Sequence, residues 1–229
     1  MKRSWLGQAQ RSVKWCSDMT VSRPGILAIF NNVAPGREVE FEEWFQHEHL
    51  QERLGVPGFL LGRRHEALNG EPQYFNFYVT RSVEVLNSQE YQTRLNNPTT
   101  MTRLIMSEVF KDMIRTVCHQ SFRVGRMRGA VSATARFVER PNEAALKSLL
   151  QQFVKDKAVA CGEIWAAASQ DELPLSEEER LRGGDRRIEA CLVVDTLRAQ
   201  DADRVAGALF NQFPTASIAV YRLLCEIGR

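Results

Sequence analysis

Apolar and polar positions follow two periods along this chain, one near 2 and one near 3.6. Gly25–Asn32 (GILAIFNN) is almost continuously apolar until its closing Asn-Asn, the pattern of a short buried strand. After Ala34-Pro35-Gly36, apolar residues recur at helical spacing, which predicts a helix over Arg37–Leu54 that Pro57-Gly58 stops. Phe59–Leu68 and Gln73–Thr80 read as strands flanking Asn69-Gly70, a strong hairpin signal. A short helix follows over Ser88–Asn96, a longer one over Thr100–Arg115, then a strand over Thr116–Val124. The order is β-α-β-β-α-β, a split βαβ unit.

That order recurs. Gly129–Glu139 predicts a strand, Glu143–Lys157 an amphipathic helix, and Val159–Ala168 and Ile188–Leu197 two further strands. Ala199–Phe213 predicts a helix and Ala216–Cys225 the last strand. The polar stretch Gln170–Arg187 is expected to be an exposed mobile loop or a short charged helix, started by Ser176 and ended by Gly183-Gly184. The fold class is therefore α+β: tandem ferredoxin-like repeats packed as an intramolecular pseudo-dimer. Each four-stranded sheet has one bare face, so the sheets are expected to pack on each other with a cavity between or beside them. The predicted divisions are a tail over 1–23, a first repeat over 24–124 and a second, degenerate repeat over 125–229.

Charge changes this picture little. Lys and Arg outnumber Asp and Glu by 15 to 13 in residues 1–124 and equal them at 15 each in 125–229. No basic stripe marks a nucleic-acid partner, and no run is apolar enough to cross a membrane. The five cysteines are odd in number and lack CxxC spacing, which suits reduced thiols in the cytoplasm.

Candidate chemistry gathers in Glu40–Arg64. Phe41, Trp44, Phe45, Glu48 and Glu52 share one face of an ideal helix, and carboxylates in an aromatic stripe need a partner or a proton. Glu48 and His49 are the catalytic candidates, His49 as general acid or base. The bland alternative is a Glu–Arg ion pair joining the helix end to the next strand, with His49 making one hydrogen bond. His47 and His49, two apart on a helix, point about 200° apart and cannot share a metal ion; no metal site is expected. Arg63 and Arg64 alternate across the second strand, one to meet the helix carboxylates or an anionic substrate, the other solvent or the partner sheet. On the third strand, all-apolar Phe75, Phe77 and Val79 are expected against the helices, which leaves Tyr74, Asn76 and Tyr78 facing the cavity as ligand lining.

Trp44, Phe45, Glu48, His49, Glu52 and Arg53, followed by Pro57-Gly58-Phe59 and Arg63-Arg64, carry a resemblance. This W-[FY]-x-x-E-H-x-x-E-R…P-G-F…R-R pattern resembles bacterial members of the dimeric α/β-barrel superfamily, relatives of the EthD-like and antibiotic-monooxygenase-like groups. It covers about residues 25–124. The superfamily spans oxygenases, isomerases, dehydratases, haem enzymes and proteins without demonstrated catalysis, so the resemblance implies a fold more sharply than a reaction. Haem in tandem members needs an axial histidine in the second module, and this chain has none after His119.

The expected function is a cofactor-independent small-molecule enzyme of lyase, isomerase or oxygenase type, acting by proton transfer on an aromatic or enolisable substrate. His49 moves the proton, Glu48 assists, and Arg53, Arg63, Arg64, Trp44, Tyr74, Asn76 and Tyr78 hold the substrate. No cofactor is expected, and a homodimer is the one protein assembly anticipated. The alternative is a non-catalytic barrel that binds a ligand or a protein.

Overall fold

The computed structural model describes residues 23–169 and 174–228. The expected tail lies outside the described residues except for Arg23, as do positions 170–173 of the polar stretch.

The first half runs β1 (Gly25–Val33), α1 (Glu38–Trp44), a π-helical turn (Phe45–His49), α2 (Leu50–Gly55), β2 (Phe59–Asn69) and β3 (Tyr74–Thr80). A 3-10 turn (Val83–Asn87), α3 (Gln89–Asn96), α4 (Thr100–Leu104), a second π turn (Ile105–Val109) and β4 (Phe110–Val124) complete it. The second half runs β5 (Val131–Phe137), α5 (Glu143–Phe153), β6 (Val159–Ala167), α6 (Glu177–Leu181), β7 (Ala190–Thr196), α7 (Ala199–Gln212) and β8 (Ser217–Gly228). Gly58 turns α2 into β2 with φ +98°, a region glycine enters without steric cost. Ser176 caps α6 by accepting from the Glu179 N–H, and Gly183 and Gly184, both at positive φ, follow its end.

All eight strands pair antiparallel in a closed barrel, β1-β3-β2-β8-β5-β7-β6-β4. Within each half the spatial order is fourth, first, third, second. The halves join by their edges, β2 to β8 and β4 to β6. This corrects the expectation of two sheets stacked face on face. Edge pairing satisfies the backbone groups that stacking would leave open, and closure turns the bare faces inward onto one another.

The barrel interior is filled. Phe30, Phe75, Phe77, Trp165 and Tyr221 pack there, all essentially without solvent exposure. Helices cover the outer faces over two further cores. The expected faces of β3 are inverted: Phe75 and Phe77 point into the barrel, while Tyr74 and Tyr78 pack under the helices of the first half. A strand buried on both sides gives no polar-out signal, so alternation alone cannot say which side is which.

The predicted helix over Thr100–Arg115 is also corrected, because helical structure stops at Val109 and β4 begins at Phe110. Pairing with β1 overrides a run that suits either state. The changeover shows as a register shift opposite Phe30/Asn32, with Asp112 at φ +52°. Among the described residues no helix is long and apolar enough to cross a membrane.

Candidate functional site

The π turn decides which side chain reaches the interior. Had the helix stayed α, Glu48, four residues after Trp44, would lie beneath the indole, and His49 would sit about 100° to the side. The wider turn superimposes residues five apart instead. His49 thus lies against Trp44, ring centroids 4.2 Å apart, with Phe45 at 5.2 Å, and is 5% exposed. Glu48 is displaced to the flank, accepting from the Thr99 and Thr102 hydroxyls at 2.5 and 2.7 Å. Thr102 Oγ1 also accepts from Trp44 Nε1 at 3.0 Å. Among the described residues neither an arginine nor His49 is bonded to Glu48, whose carboxylate is held by the two threonines.

His49 opens on a cavity of about 20 Å³ between the helices and the outer face of the sheet, room for about one water. Arg53, Tyr91, Arg115, Glu178 and Arg182 share its lining. Arg53 donates to Glu178 Oε1 at 2.5 Å and lies over the Tyr91 ring, and Arg115 donates to the Tyr91 hydroxyl at 3.0 Å. Arg182 makes a two-pronged pair with Asp185 at 2.9 and 2.7 Å and stands 3.8 Å from Glu178. Several polar atoms here lack hydrogen-bond partners among the described residues: His49 Nδ1, Arg53 Nη1 and the Tyr78 hydroxyl.

Glu178 and Arg182 come from α6 and its end, the short charged helix that was one of the two expectations for this stretch. It is docked rather than exposed, with Glu178 3% exposed and the side chains of Arg182 and Asp185 almost fully covered. Residues 96 and 103 fasten it further, Asn96 accepting from the Glu177 N–H and Arg103 pairing with Glu177.

Other candidates are committed elsewhere. Arg64 grips Glu42 with two bonds of 2.6 and 2.5 Å inside a box of Phe41, Phe45 and Tyr74, and Tyr74 donates to the same carboxylate. Of the two roles expected for an arginine of this strand, Arg64 takes the pairing with a helix carboxylate. Strand parity sends Arg63 into the barrel, onto Asp195, Glu226 and the Gly129 carbonyl, away from His49. Asn76, 1% exposed, donates to Asn31 and faces no cavity. Tyr78 does approach the site, its ring 6.4 Å from His49, though from the helix-covered face.

Burial, then the charges of Arg53, Arg182 and Arg64, hold the pKa of His49 well below its ordinary 6.5. Burial also dominates at His65, inside the barrel, and with Arg63 and Arg128 brings it to about 3 against one opposing hydrogen bond with the Phe75 carbonyl. Both imidazoles are neutral in the fold, while the unfolded chain protonates them below 6.5. Stability therefore owes nothing to either well above pH 6.5 and falls as pH drops through it, approaching about 1.4 kcal/mol per pH unit for each histidine about a unit lower. Urea unfolding between pH 6.5 and 5 should show an average slope of about 2 kcal/mol per unit from the pair, reduced by about half in His65→Gln. A flat profile would contradict the neutral burial of both rings.

No protein-family model matches the chain, and no curated protein matches it by sequence. Solved structures do match over nearly its whole length. An anthrone oxidase-like protein superposes with a TM-score of 0.57 at 9% identity, covering 90% of this chain and 93% of its own. A candidate monooxygenase from Fusobacterium nucleatum subsp. nucleatum gives 0.55 at 9% identity, covering 91% and 95%. Another from Lactobacillus acidophilus gives 0.52 at 5%, covering 90% and 97%. At such identities the likeness speaks for the fold alone: an α+β chain whose eight antiparallel strands close a barrel with helices outside it.

Proposed function

We propose that the chain is a small-molecule enzyme of the oxygenase type, akin to antibiotic-monooxygenase-like and EthD-like proteins, working by proton transfer at His49 without a cofactor. The observation that carries this reading is a buried neutral imidazole with an unpartnered Nδ1 on a pocket that has one excess positive charge. Arg53, Arg115 and Arg182 supply three, and Glu178 and Asp185 offset two. An aromatic or enolisable substrate gives its proton to His49, and the resulting anion stays beside Arg53 and Arg115. An imidazolium is unfavourable among arginines, so the transfer proceeds only where that anion remains adjacent. The carbanion then gives its electron pair to dioxygen to form a C–O bond, and the proton held by His49 passes to the outer oxygen to leave a hydroperoxide. The cavity is too small for such a substrate while α6 is docked, so α6 moves aside on entry.

A second reading is favoured by that small cavity and by the filled barrel: a non-catalytic barrel that binds a ligand or a protein. Dioxygen-consumption and thermal-shift screens with aromatic and 1,3-dicarbonyl acids separate the two. Turnover lost in His49→Gln supports the enzyme; binding without turnover in the wild-type protein supports the second reading.

We also read the halves as tandem ferredoxin-like repeats forming an intramolecular dimeric barrel, divided at 24–124 and 125–229. Residues 24–124 expressed alone would bare the β2 and β4 edges and the Phe75–Phe77 face. The fragment should self-associate or precipitate in size-exclusion chromatography; a well-folded monomer would contradict the reading.

A further inference from the structure

One end of the barrel holds a cleft of about 540 Å³ that shares no lining residue with the His49 pocket. β4 is the partition between them. Asp112 and Ile114 line the cleft, while Met113 and Arg115 line the pocket. Three arginines, Arg136, Arg186 and Arg187, converge on the cleft beside Ile114, Ile188 and Ile218.

Arg136 is the informative one. It is 7% exposed, its guanidinium lies 4.8 Å from the Phe30 ring centre, and one N–H is given to the Glu71 carbonyl. Among the described residues its Nε has no partner and no carboxylate pairs with it. Arg186 gives its Nη2 to the Asp112 carbonyl, and the Asp112 carboxylate is taken by Asn32 Nδ2 at 2.8 Å. Burying a guanidinium without a counter-charge is costly, and a ligand that brings the charge removes the cost. A planar fork suits a carboxylate, and the isoleucine wall suits an apolar body.

We propose that this cleft is a binding site for an organic carboxylate, with its charge on Arg136 and Arg187 and its apolar body against Ile114, Ile188 and Ile218. The probes are 2-naphthoate, its neutral amide 2-naphthamide, and inorganic phosphate, titrated calorimetrically into the full chain. Naphthoate should bind at sub-millimolar concentration, at least tenfold tighter than the amide or phosphate. Arg187→Ala, at an exposed position that leaves folding intact, should weaken naphthoate about tenfold, and Arg136→Lys should weaken it further. His49→Gln should leave this binding unchanged, which separates the cleft from the other pocket. The proposal is overturned if wild type does not bind naphthoate, if amide or phosphate binds equally well, or if affinity falls with His49→Gln and not with Arg187→Ala.

Discussion

Glu178→Gln should destabilise the protein by about 3 kcal/mol or more. The carboxylate and its Arg53 partner are 4% and 2% exposed, so water screens neither, and the amide leaves Arg53 buried without a counter-charge. Arg182 loses its weaker contact too, though Asp185 still holds it. For a chain of this size the melting temperature should fall by about 10 °C. Glu177→Gln, one residue earlier, is the control. Its pair with Arg103 is 31% and 48% exposed, and its loss should cost less than about 1 kcal/mol. Urea unfolding of both variants is the measurement, and equal small losses would show that α6 is not fastened through Glu178.

The second large effect is chemical. His49→Gln should lower turnover of a substrate found by screening by about 10²- to 10⁴-fold, the usual weight of a positioned general base. Because the His49 pKa lies well below 6.5, the basic form persists as pH falls, and kcat/KM should show no limb near 6.5. A limb at that pH would mean an exposed histidine does the work. His49→Ala should also cost about 2 kcal/mol of stability, since the ring is packed on Trp44 and Phe45. Glu48→Gln should leave turnover nearly intact, because the two threonine hydroxyls hold it to one side.

The element order was legible because each strand is a short apolar run and Asn69-Gly70, Pro57-Gly58 and Pro141-Asn142 mark the turns in ordinary chemical terms. What closes the barrel was not legible. Phe75 and Tyr74 alternate on a strand buried on both sides, so side-chain polarity does not orient it. The run from Ile105 to Arg115 suits a helix or a strand until β1 pairs with it. The site was half visible: Trp44, His49 and Arg53 lie within ten residues, and their spacing drew attention. Tyr91, Arg115, Glu178 and Arg182 come from distant segments. Glu178 follows Arg53 by 125 residues within a stretch whose composition reads as solvated surface.

The π turn over Phe45–His49 ties the identity of the pocket group to a count of residues. The buried imidazole here lies five places after the tryptophan it packs on. A related chain lacking the extra residue, with an ordinary α turn, would need its imidazole four places after that tryptophan to occupy the same point in space. Between two such chains the functional difference is a gap of one, and an alignment that refuses the gap sets the histidine of one opposite the wrong neighbour of the other. Kinship at this site is therefore to be sought by superposed backbone, with Trp44 as the fixed mark and the distance to the next buried polar group left free by one.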